Sequence, residues 1–205
     1  MRRLWAGVIA GAALVAALLA AMVPARAQFD ILTAPKTLID RAIEARSLAD
    51  IKRDNEIVLA VNKVMADLGT IKASTAIYEQ RLLVTGVFED KATYDRFEQG
   101  VRAVKGVKRL YWHVAYVPKA DLEARQKAGT MIDWPAALAM ETKGTGRLIG
   151  TAGVADVNFR IVADAFSTIY VLGRARSADE RDKALARAKD GDGVKKVVNY
   201  IDVRP

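Results

Sequence analysis

A short pattern that occurs twice places the tightest limit on what this chain can fold into. Val84-Thr85-Gly86 is followed by Gly106-Val107-Lys108-Arg109-Leu110, and Val171-Leu172-Gly173 is followed at the same distance by Gly193-Val194-Lys195-Lys196-Val197. The repeat favours two modest domains over one ordinary domain. Two copies of one small fold suggest a binding module.

The segment before the repeats reads as an export leader. Arg2 and Arg3 precede an apolar stretch from Leu4 to Val23, and Pro24-Ala25-Arg26-Ala27 supplies the small residues that a signal peptidase reads. Cleavage after Ala27 and a periplasmic location are the expectation. The competing reading is an uncleaved anchor, since about twenty apolar residues can span a bilayer. The chain has no cysteine, which removes a lipoprotein attachment point, a disulfide framework, a thiolate nucleophile and zinc thiolate ligation.

Without residues 1–27 the chain has 178 residues. The leader carries three of the 32 basic residues and none of the 24 acidic ones, leaving 29 against 24 and a formal charge of +5. That excess favours anionic partners such as acidic phospholipid headgroups without requiring them. Nucleic acid is a poor partner for an exported chain whose lysines and arginines are scattered among acids.

Residues 28–51 read as a helical adapter in which Pro35 starts a helix and Leu38, Ile39, Ala42, Ile43 and Leu48 recur at helical spacing. A helix over Asn55 to Leu68 carries Ile57, Val58, Val61, Val64, Met65 and Leu68 on one stripe, and Gly69 stops it. Ile71 to Tyr78 and Arg81 to Val87 read as strands joined at Glu79-Gln80, although the Asn-Gly or Asp-Gly of a tight hairpin is missing. Lys91 to Val104 places Tyr94, Phe97, Val101 and Val104 on one helical face, and Val107 to Val117 returns as a strand closed by Pro118. The predicted unit is therefore helix, strand, strand, helix, strand over residues 52–118.

A connector at 119–136, partly helical over Ala120 to Lys127, leads to the second unit at 137–205. Its first helix spans Ala136 to Ile149, where Gly144, Gly146 and Gly150 each cost about 1 kcal/mol relative to alanine if they sit inside it. Strands follow at Val157 to Ala163 and Thr168 to Ala175. Ser177 caps the next helix with Glu180 at capping-box spacing, Ala184 and Ala188 face the sheet, and Val194 to Val203 is the last strand. The fold class predicted is α+β: two small domains, each a three-stranded mixed sheet covered by two helices on one face.

In these features both units resemble the BON domain. The resemblance rests on the apolar-x-Gly of Val84-Thr85-Gly86 and Val171-Leu172-Gly173 and on the later Gly-Val-x-x-apolar. In the second unit Ser177, Glu180, Arg181, Ala184 and Ala188 also follow the family pattern of a capped, alanine-faced helix. A leader followed by two such domains is similar to periplasmic dual-BON proteins of the osmotically inducible protein Y type. The resemblance implies a non-enzymatic protein that binds phospholipid surfaces and supports outer-membrane integrity or envelope stress tolerance. Lipid contacts in such proteins lie on a first helix, and the glycines in the first helix of the second unit depart from that pattern. The alternative is a periplasmic adapter that binds proteins of an envelope assembly through a sheet edge or an aromatic strand.

The shared positions Gly86, Gly106, Val107, Gly173, Gly193 and Val194 have structural roles. Gly86 and Gly173 are expected to end strands in a conformation closed to other residues, Gly106 and Gly193 to release a helix into a strand, and the valines to point inward. Catalytic readings fail. Gly144-Thr145-Gly146-Arg147-Leu148-Ile149-Gly150 lacks the Gly-Lys-Ser/Thr of a phosphate loop, the single His113 excludes a two-histidine metal site, and no carboxylate pair has readable catalytic spacing. No cofactor or metal is expected.

Two groups are candidate contacts. In Val107 to Val117, Leu110, Trp112, Val114 and Tyr116 face one way and Tyr111, His113, Ala115 and Val117 the other. One side is core, and the other, with Tyr111 and His113, either packs locally or docks the second domain or a partner. The second group is Trp134 with Met131, flanked by Lys143 and Arg147, an aromatic beside basic side chains that suits an anionic membrane interface. Otherwise Trp134 staples the connector to the second domain.

Overall fold

The computed structural model describes residues 44–70 and 72–205. The leader, most of the adapter and Ile71 lie outside the described residues. Helix α1 (Leu48–Asp67), strands β1 (Ala73–Tyr78) and β2 (Arg81–Phe88), helix α2 (Lys91–Arg102) and strand β3 (Arg109–Tyr116) form the first domain. Helix α3 (Lys119–Lys127) occupies the connector. Helix α4 (Trp134–Leu148), strands β4 (Phe159–Ala163) and β5 (Thr168–Ala175), helix α5 (Ala178–Lys189) and strand β6 (Lys196–Val203) form the second.

Each sheet has the same pairing. β1 runs antiparallel to β2 and β2 parallel to β3, and β4, β5 and β6 repeat this arrangement. The α+β class and the α-β-β-α-β order are therefore as predicted. α1 and α2 cover one face of the first sheet around Ile57, Val61, Phe97 and Val101, all under 4 % exposed. In the second domain Ala184 and Ala188 are fully buried, and these small residues let α5 lie closer to its sheet than α2 does.

Three local results differ from expectation. α1 begins at Leu48, not Asn55, because Ser47 accepts a hydrogen bond from the Asp50 amide and caps it, leaving Leu48 exposed at the helix start. Gly86 and Gly173 lie inside β2 and β5 with ordinary strand backbone. They are needed because a Cβ would sit 2.7 Å from the Lys72 carbonyl oxygen at Gly86 and 2.1 Å from that of Asn158 at Gly173. Ser177 accepts from the Glu180 amide, but Glu180 does not return the bond to Ser177: its carboxylate accepts from the amides of Ala155 and Arg176. Gly106 (φ 88°) and Gly193 (φ 78°) are left-handed where helix passes to strand.

The first hairpin explains how Glu79-Gln80 can turn without glycine. Both residues have positive φ, 50° and 64°, which marks a type I′ turn. The buried Asp54 carboxylate on α1 accepts from the Glu79 amide at 3.0 Å, the Gln80 amide at 2.7 Å and the Gln80 side-chain amide at 3.0 Å. Arg46 donates to the same carboxylate at 3.1 Å. These bonds to a charged acceptor offset the strain that two non-glycine residues incur there.

Candidate functional site

The sheet faces left bare by the helices pack against each other. Ala76, Tyr78 and Leu83 from the first sheet meet Val162, Tyr170 and Leu172 from the second. The molecule is thus a sandwich of two sheets with helices on both outer sides. Tyr111 stacks on Tyr200 with ring centroids 3.9 Å apart, and the His113 ring lies 4.2 Å from that of Tyr170. His113 Nε2 shares a 2.8 Å hydrogen bond with the Tyr200 hydroxyl. Tyr170 donates to the Asp164 carboxylate at 2.8 Å, and that carboxylate also accepts from the Phe166 and Thr168 amides to hold the second hairpin.

Burial holds the His113 imidazole below its ordinary pKa, against the raising effect of Asp164 and with a small further lowering from Lys196. Tyr111 and His113 therefore face the second domain, inside the chain. Polar struts reinforce the seam. Arg81 donates to the carbonyls of Tyr200 at 2.9 Å and Gly173 at 2.7 Å, Thr85 donates to that of Ala163 at 2.9 Å, and the Tyr78 hydroxyl donates to Asn158 at 3.1 Å.

The second candidate group is divided by the fold. Met131 is 3 % exposed and packs with Val117, Ala165 and Leu122 beneath the connector. Trp134 opens α4, which Asp133 caps by accepting from the Ala136 amide at 2.8 Å. With Val87, Leu122 and Ala165 it lines a cleft of about 480 Å³ between the domains, where Glu89 and Glu123 stand beside Lys72 and Lys119. Lys143 is exposed on α4. Arg147 reaches across to the C-terminal end of α5, donating to the carbonyls of Arg187 at 3.0 Å and Ala188 at 3.4 Å. It satisfies orphan helix carbonyls there.

One ionisable group in this region carries no sequence signal. The carboxyl of Glu141, on α4, is buried near the Ala163 amide of β4 and Ser74 of β1, and its Oε2 has no hydrogen-bond partner. Burial raises its pKa to about 7, outweighing the lowering effect of the nearby Ala163 amide and Ser74 side chain. Among the described residues, no group of three or more His, Cys, Asp or Glu is placed to hold a metal ion.

Residues 146–205, from the last turn of α4 through β6, match the family model of the BON domain. These residues form a BON domain. Within it lie the close β4–β5 approach at Gly173, the capped α5 and the left-handed Gly193 before β6. The first domain repeats the element order and strand pairing of the BON domain. The chain is similar to an uncharacterized protein in the gshII 5′ region of Anaplasma centrale, with 26 % identity over 152 residues that cover 74 % of this chain and 95 % of that protein. Two structures of CdsD, a structural protein of the type III secretion system of Chlamydia trachomatis, also align. The first, of its C-terminal domain, has 11 % identity and a TM-score of 0.29, covering 73 % of this chain and 98 % of that one. The second has 14 % identity and a TM-score of 0.27, covering 73 % and 93 %.

Proposed function

We propose that this is a periplasmic, non-enzymatic protein that binds phospholipid membrane surfaces and supports outer-membrane integrity under envelope stress. The observation that carries the proposal is the BON domain at residues 146–205, a fold generally associated with membrane lipid. Its α4–α5 face supports the reading chemically. Ile149, 45 % exposed, follows α4 beside Arg147, and the exposed Lys183 and Arg187 extend from α5 toward the same loop. An apolar tip among cations suits reversible contact with an anionic leaflet. Lys143 on the same helix and Trp134 at its start extend the proposed contact.

Co-sedimentation with vesicles of phosphatidylethanolamine alone, or mixed with phosphatidylglycerol, tests the proposal at low and moderate salt. Pelleting should require the anionic lipid, weaken with salt, and fall when Ile149→Ser is combined with Lys143→Ala. Trp134→Ala, run beside it, reports whether the start of α4 takes part. Absence of pelleting under every condition refutes the lipid reading in favour of a protein partner in the envelope.

A further inference from the structure

Where β3 begins, a polar cavity of about 460 Å³ opens at the seam between the domains, lined by four cationic and three acidic side chains. Most of these charges are committed to one another. Arg81 is held by two carbonyls of the second domain and by Asp202 at 3.3 Å. Glu79 pairs with Arg204 and lies 3.9 Å from Arg174, while Asp202 lies 3.8 Å from Arg204. Asp50 accepts from Ser47 at 2.6 Å and pairs with Arg53 at 3.4 Å.

Lys108 and Arg109 are different. Both are exposed on the cavity wall, and neither has a carboxylate within ion-pair distance among the described residues. Arg109 rests instead over the ring of Tyr111, 6.0 Å from its centroid, which orients the guanidinium without neutralising it. They are the two variable positions of the repeated Gly-Val-x-x-apolar pattern, and the turn at Gly106 fixes where they emerge. The packed seam brings Arg204, at the end of the other domain, to the same cavity.

We propose that this cavity binds a phosphate group, with Lys108 and Arg109 as its contacts, while Arg204, which the second domain brings to the same cavity, stays paired with Glu79. A guanidinium beside an ammonium matches the charge and the several acceptor oxygens of phosphate better than the single plane of a carboxylate. The site is separate from the α4–α5 face and does not depend on the membrane reading.

The test is calorimetric titration of the whole protein at fixed ionic strength with inorganic phosphate and, separately, with dihexanoyl-phosphatidylglycerol below its micelle concentration. Saturable binding of one phosphate group per chain is expected. Lys108→Ala with Arg109→Ala should weaken it by about tenfold or more, the loss of one charge-assisted contact being worth that much. Lys195→Ala with Lys196→Ala, the same charge change at the matching positions of the other repeat, should leave it within about twofold. Asp202→Asn, which removes a competing carboxylate from the cavity wall, should tighten it. Both variant pairs replace exposed side chains, so circular dichroism should be unchanged. Binding of the glycerophospholipid identifies a lipid headgroup as the source, and binding of inorganic phosphate alone identifies a free phosphate; either upholds the site. No saturable binding, or equal weakening by both double variants, overturns it. Vesicle pelleting is scored independently, so failure of one proposal is distinguishable from failure of the other.

Discussion

Replacing Glu141 with glutamine should make the protein more stable at alkaline pH and flatten its pH response. The carboxyl is buried between β1 and β4, and its pKa rises from 4.5 to about 7. The folded state therefore favours the protonated form. Stability from this group is fully present below pH 4.5, declines as pH rises, and is lost once pH exceeds 7. At 1.36 kcal/mol per unit, a rise of this size corresponds to about 3 kcal/mol. Glutamine keeps the shape and an acceptor oxygen beside the Ala163 amide and Ser74 without a charge to bury. Urea unfolding followed by Trp112 fluorescence, at steps from pH 4.5 to 9, gives the stability difference between variant and parent. Taking the difference cancels His113, whose lowered pKa has the opposite sign: its contribution is present above pH 6.5 and lost as pH falls below it. Glu141→Gln should match the parent near pH 4.5 and exceed it by about 3 kcal/mol at pH 9. Parallel curves, or a variant less stable at pH 9, would refute the argument from burial.

Other substitutions probe the frame. Gly173→Ala drives a Cβ into the Asn158 carbonyl and should cost roughly 2–4 kcal/mol, whereas Gly146→Ala, with nothing within 4 Å, should stabilise α4 by about 1 kcal/mol; chemical denaturation measures both. Asp54→Ala removes three bonds from the Glu79-Gln80 turn and should cost roughly 2–4 kcal/mol, with Gln80→Gly recovering part of the loss because its φ of 64° suits glycine. Leu83→Ala, in the contact between the sheets, should lower the thermal midpoint through a loss of about 2–5 kcal/mol.

The alternation along β3 was legible because a strand has period two. Leu110, Trp112 and Val114 do enter the helix-covered core, while Tyr111 and His113 face away from it. What covers that second face was not legible. Tyr200 meets Tyr111 from far along the chain, and no local pattern carries so distant a pairing. The left-handed Gly106 and Gly193 could be read from their place after a helix. Gly86 and Gly173 could be located but not explained, since their need comes from a neighbouring backbone rather than from their own dihedral angles. No local pattern singles out Asp54. Its role is set by a turn folded back onto it. Met131 and Trp134, close in sequence, separated into core and cleft because the turn into α4 aims them differently.

Packing the two sheets face to face has a consequence for cutting the chain. A single half would present Tyr78, Leu83 and Tyr111, or Val162, Tyr170 and Leu172, to water as one contiguous apolar patch. The halves are in effect a dimer whose subunits share one polypeptide, and the connector sets their effective concentration. A protease cut within exposed Ala128-Gly129-Thr130 should leave the fragments associated, and either fragment made alone should seek a second sheet to pair with.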